Sequence, residues 1–80
     1  MNNTKVGQIC YHYKHPDRLY KIIAIATHTE LMEDLVIYQA LFSSKERGDS
    51  KVWARPLHMF TDKVTIDGKE IERFTLVKDI

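Results

Sequence analysis

The residues best able to do chemistry in this sequence come in two pairs, His28 with Glu30 and Trp53 with Arg55. Each pair is spaced two apart, which on a strand means one shared face. A carboxylate beside an imidazole raises its pKa and orients it, and that is half of an acid/base pair. An indole and a guanidinium pointing the same way stack on a planar group and take an anion, as nucleotides and single strands are held. Both pairs also have plainer readings. His28 can bond a neighbouring strand or cap the connection at Glu30. Trp53 can cover one end of the fold while Arg55 pairs with Asp62, Glu70 or Glu72 or bonds chain carbonyls.

The remaining reactive side chains carry weaker signals. Four histidines invite a metal reading, but none has the helical spacing or cysteine partners of a familiar zinc site, so no metal and no cofactor is expected. His12 and His15 flank a turn and should be exposed, and His58 rides a helical turn. Cys10 is the single cysteine, which rules out an internal disulfide, and on a half-buried strand it reads as a small hydrophobe. Ser43 and Ser44 lack the surroundings of a nucleophile elbow, so no catalytic residue is assigned. The formal charge of +1 is spread along the chain without a basic arm or acidic tail. Lys45, Arg47 and Lys51, like Lys14, Arg18 and Lys21, are interrupted by acids and turn residues and read as solvated faces. No apolar run approaches the roughly 20 residues of a membrane span, so a cytoplasmic protein without membrane association is expected.

The elements that must position these side chains are strands. "QICYHYK" alternates, and "HPDR" separates it by turn chemistry from "YKIIAIATHT", so the two predict a hairpin. On the second strand Tyr20, Ile22, Ala24, Ala26, His28 and Glu30 share a face by alternation. "ELMED" has room for a helical turn before a third strand, "LVIYQALF", at 35–42. "SSKERGDS" reads as a mobile loop before the short strand "KVWAR". Pro56 suits the first position of a helix, so "PLHMF" predicts one helical turn with Leu57, Met59 and Phe60 as an apolar plug. Asp67-Gly68, between apolar alternations, predicts a type I′ hairpin joining the last two strands.

Six short strands and one helical turn near residues 56–60 predict an all-β fold, a small, strongly bent antiparallel barrel of SH3-like kind. Eighty residues make one domain, with fraying expected at 1–5 and 78–80.

Five ordered blocks closely resemble one family: "G-x-x-x-Y-H-Y-K" at 7–14, "Y-x-I-x-x-I-A-x-H-T-E" at 20–30, "L-V-I-Y-x-A-L" at 35–41, "W-x-R-P-L-x-M-F" at 53–60 and "D-G-x-x-x-x-R-F" at 67–74. The chain is similar to the bacterial family named "domain of unknown function 1653", over Gly7 to Phe74. The resemblance implies a short, stand-alone bacterial chain and carries over no catalytic residue. "KHPDR" departs from the shorter Lys-Gly turn associated with the family.

The reading that results is a non-catalytic binding module for a peptide, a nucleic-acid segment or a small planar or anionic ligand. Its candidate ligand-binding residues are Tyr11, Tyr13, His28, Glu30, Tyr38, Trp53 and Arg55. The alternatives are a small-ligand enzyme using His28, Glu30, Tyr38 and Arg55 around a pocket lined by Ala24, Ala26 and Ala40, or a structural or assembly protein. A monomer or weak homodimer is expected.

Overall fold

Glycine and proline set the chain's first turns. The computed structural model describes residues 4–44, 48–49 and 51–79, with the backbone alone at 43–44 and 48–49. The Gln8 N–H closes a turn on the Lys5 carbonyl at 3.3 Å, with Gly7 at φ 99°, where a Cβ would be disfavoured. From it runs β1 (Ile9–His12), and β2 (Leu19–His28) returns beside it. The turn between them is closed by two 3.0 Å bonds, His15 N–H to the His12 carbonyl and Arg18 N–H to the His15 carbonyl. This is the hairpin that Pro16 and Asp17 predict.

Instead of a helical turn within "ELMED", residues 29–32 form a tight loop closed by Met32 N–H on the His28 carbonyl at 2.7 Å, with Met32 at φ 52°. β3 (Glu33–Ala40) therefore starts two residues before the predicted Leu35. Within the stretch read as a loop, β4 (Ser43–Ser44) pairs with β5 (Gly48–Asp49), while residues 45–47 and 50, with Lys45 and Arg47, lie outside the described residues.

β6 (Val52–Pro56) leads into α1 (Leu57–Phe60). Pro56 keeps ψ at 138° and pairs with Leu35, so it ends the strand and does not begin the helix. β7 (Lys63–Ile66) and β8 (Lys69–Glu72) flank Asp67 and Gly68 at φ 51° and 80°, the two positive values that a type I′ turn requires. A further strand, β9 (Phe74–Lys78), adds to β1, although the sequence reading ends its strands at Phe74. Only Arg73 separates β8 from β9: its N–H bonds the Asp62 carbonyl at 3.2 Å and its carbonyl accepts the Tyr13 N–H at 2.9 Å. A crossing so short carries no glycine or proline to announce it.

The fold is all-β, as expected, around a five-stranded antiparallel sheet in the order β6-β3-β2-β1-β9. Four strand spacings would part its edges by about 19 Å if it were flat. The Arg55 guanidinium on β6 nonetheless sits 5.4 Å from the centre of the Phe74 ring on β9, so the sheet is rolled into a deep trough. The strongly bent antiparallel sheet is as predicted, and among the described residues no ladder joins β6 to β9 to close it into a barrel.

The concave face holds the core: Cys10, Ile22, Val36, Tyr38, Phe60 and Phe74. α1 supplies Phe60, fully buried and stacked on Phe74 at 4.1 Å with 9° between the rings, and Leu57 packs beside it. Met59, expected in the plug, is 43% exposed, because one helical turn aims only positions three apart at the same neighbour. Lys5 and Asp79 meet at Gln8, which is buried: its Oε1 accepts the Lys5 N–H at 2.8 Å and its Nε2 donates to Asp79 Oδ1 at 3.2 Å.

Candidate ligand-binding cleft

Register decides which side chains face the trough. Tyr38 on β3 lies between Ile22 on β2 and Trp53 on β6, and Val36 lies opposite Arg55. Paired residues project to the same side. Tyr38, Trp53 and Arg55 therefore share the concave face, as alternation predicts for the last two. On the other side of the trough Cys10 pairs with Tyr20 and His12 with Phe74, which brings those four to the same face.

A cleft of about 230 Å³ opens at this end of the trough. Tyr20, Tyr38, Trp53 and Phe74 form its aromatic walls, and Arg55, Lys14, His12 and His15 bring nitrogen donors to it. Among the described residues no carboxylate lines it. The aromatic rings brace one another edge to face, Tyr20 against Tyr38 at 5.3 Å and Tyr38 against Phe74 at 5.5 Å, so the walls are preformed.

Arg55 does not take the Asp62 carboxylate. Arg73 holds it in a two-pronged pair, Nε to Oδ1 at 2.7 Å and Nη2 to Oδ2 at 3.2 Å. The pair pulls the Asp62 carboxyl below its ordinary value and raises the Arg73 guanidinium. Arg55 is left against the Phe74 ring at the cleft, within electrostatic range of His12.

His12, expected to be exposed, is half-buried, edge-on to Phe74 with 5.1 Å between ring centres. Its Nδ1 accepts the Lys14 N–H at 3.2 Å, so the neutral ring carries its proton on Nε2. Burial, and then the charges of Arg55, Arg73, Lys14 and His15, lower its pKa from 6.5 to about 4. Burial first, and Tyr38 next, push the Tyr20 hydroxyl up. Burial pushes the Cys10 thiol to about 12, which suits an inert apolar side chain.

The other sequence-predicted residues sit elsewhere. Tyr11 pairs with Leu19 and Thr75 on the convex face. Tyr13 lies past the end of β1, its ring 4.6 Å from that of His12 and 5.9 Å from the Lys14 ammonium, outside the cleft lining. His28 ends β2 and Glu30 lies in the β2–β3 connection, both outside the lining. The His28 Nδ1 accepts the backbone N–H of Glu30 at 3.3 Å and of Leu31 at 3.2 Å, so the imidazole caps the loop. That is the plainer of the two readings.

The alanine-lined pocket fails for a register reason. Ile22 pairs with Tyr38 but Ala24 pairs with Ile37, so β2 carries one extra residue at Ile23. Beyond this bulge Ile25 stands opposite Val36, and Ala24 and Ala26 turn away from the face of Tyr38 and Ala40. Sequence reasoning missed His12, Lys14, His15, Tyr20 and Phe74 as cleft residues. For His12 a signal existed, because it lies in phase with apolar Cys10 on the alternating stretch "CYHY".

Among the described residues no group of three or more His, Cys, Asp or Glu is placed to hold a metal, and no helix is long and apolar enough to cross a membrane. The side chains of Ser43 and Ser44 lie outside what is described. No curated protein and no solved structure matches the chain. A family model matches residues 8–76, most of the sequence, and the chain belongs to the family described as Protein of unknown function (DUF1653).

Proposed function

We propose that the protein is a non-catalytic binding module that holds a planar, anionic ligand in the cleft between β6 and the β1–β2 turn. One observation carries this reading: an aromatic-walled cleft whose charged lining, Arg55 and Lys14, is of a single sign. Flat rings and cations with no carboxylate beside them among the described lining residues together favour a flat anion over a neutral or cationic group. The cleft volume, about 230 Å³, falls below the roughly 300–1,000 Å³ of drug-sized pockets, which favours one ring with its anion over a length of polymer. A cytoplasmic setting accompanies the reading, and a single buried cysteine in a chain without a disulfide supports it.

The test is a proton–nitrogen NMR titration of the labelled chain with pooled aromatic phosphates, aromatic carboxylates and neutral aromatics, following the Trp53 indole and the Arg55 side chain. Shifts at both with an anionic pool, abolished in Arg55→Gln, are expected. A response to neutral aromatics alone, or none to any pool, overturns the reading.

A further inference from the structure

The reading above leaves open which anion the cleft takes, and the placement of its donors narrows that choice. Arg55 approaches from β6, Lys14 and His15 from the β1–β2 turn, and His12 from the end of β1. Donors arriving from separate elements suit an anion whose oxygens point in several directions. A flat carboxylate offers two coplanar oxygens, which one guanidinium satisfies by itself, whereas a tetrahedral oxyanion has three to share. His12 is already set to be one of the donors. With Nδ1 occupied by the Lys14 N–H, its remaining nitrogen carries the proton and can only donate while the ring is neutral.

Resting on that reading, we infer that the ligand is a planar ring bearing a tetrahedral oxyanion, the chemistry of a nucleoside monophosphate, and that as this anion enters His12 takes up a proton at Nδ1 in exchange for the hydrogen bond from the Lys14 N–H. Among the described residues the groups that face His12 are Arg55 from β6, Arg73 from the β8–β9 junction, Lys14 and His15 from the turn, the Tyr13 ring just past β1, and the uncharged Phe74 from β9. The charged groups among them are cationic, so in the empty cleft they oppose an imidazolium, in keeping with the lowered pKa. An anion seated among them reverses that balance. A ligand favoured by the protonated ring must, by linkage, bind more tightly when protons are plentiful.

The experiment titrates the full chain with benzenesulfonate, whose charge stays constant between pH 7.5 and 5, and with phenyl phosphate. Phenol, benzoate and inorganic phosphate serve as part-ligands, and the His12 ring signals are followed throughout. If the bound His12 returns to an ordinary histidine pKa, affinity for benzenesulfonate rises roughly thirtyfold on going from pH 7.5 to 5. His12→Asn flattens that profile, whereas His58→Asn, outside the cleft lining, keeps it. Should His12→Asn fold poorly, the His12 titration in the unaltered chain decides, because its midpoint must move up on saturation. Binding of equal strength at both pH values with His12 unmoved overturns the inference and leaves the binding reading standing. So does a response to benzoate with none to the sulfonate or phosphate. Silence of Trp53 and Arg55 to every probe removes both.

Discussion

Two arginines show how one residue type is assigned to structure or to recognition by what faces it. Arg73 meets the Asp62 carboxylate with two prongs and the Asp62 carbonyl with its own N–H, so it fastens the β8–β9 junction to the residues after α1. Because both side chains are partly solvated, Arg73→Ala is expected to cost about 1 kcal/mol in urea denaturation at neutral pH. Asp62 has a folded pKa below its unfolded one, so its contribution is present at neutral pH and is lost as the pH falls below the ordinary carboxylate value of 3.8. An Arg73→Ala cost that persisted undiminished at pH 2 would contradict this assignment. His12 acts in a different window. Its folded pKa is lowered from 6.5 to about 4, so the unfolded chain binds the extra proton and stability declines as the pH falls from 6.5 to 4. After allowance for solvent screening at a half-exposed ring, the decline is about 1 kcal/mol, and His12→Asn is expected to remove it from denaturation curves at pH 7 and 4.5.

Elements whose signals are local were legible, and those that depend on register were not. Asp67-Gly68 announces its turn because the backbone needs two positive φ values in succession, and few other pairs tolerate them. Gly68→Ala meets no atom within 4 Å, so the expected loss of about 1 kcal/mol is backbone strain alone. A thermal melt compared with that of an exposed Lys69→Ala change measures it. The bulge at Ile23 is silent by contrast: "IIAIA" has no glycine, proline or asparagine, and the extra residue shows only in the pairing with Tyr38 and Ile37. That one residue separated the Ala24 and Ala26 side chains from the cleft and, with it, the acid/base reading from the arginine. Of the candidate site, alternation placed Trp53 and Arg55 on one face, and only the register of β3 against β6 adds Tyr38 to it. Phe74 and Tyr20 were out of reach, since strand order, which brings β9 beside β1, is not written in any short stretch.

At the scale of the molecule, the core is small and aromatic, and one short turn of helix supplies a large share of it. Phe60 is fully buried against Phe74 and Tyr38. Phe60→Ala is expected to cost about 3–5 kcal/mol. A chain of 80 residues has only about 4–12 kcal/mol to lose. Circular dichroism should then show a broad, early melt, and a sharp transition within a few degrees of the unaltered chain would deny α1 its part in the core. The trough that this core fills is rolled without being sewn shut. Along the line where β6 faces β9, edge meets edge through a cation lying on a ring, with no ladder among the described residues. Such a line is a seam: parting it breaks none of the sheet's backbone bonds, so the sheet can gape there more cheaply than between any of its paired strands. The residue that closes the seam, Arg55, is also the one that reaches the cleft. A ligand that draws on its guanidinium is therefore expected to loosen that seam.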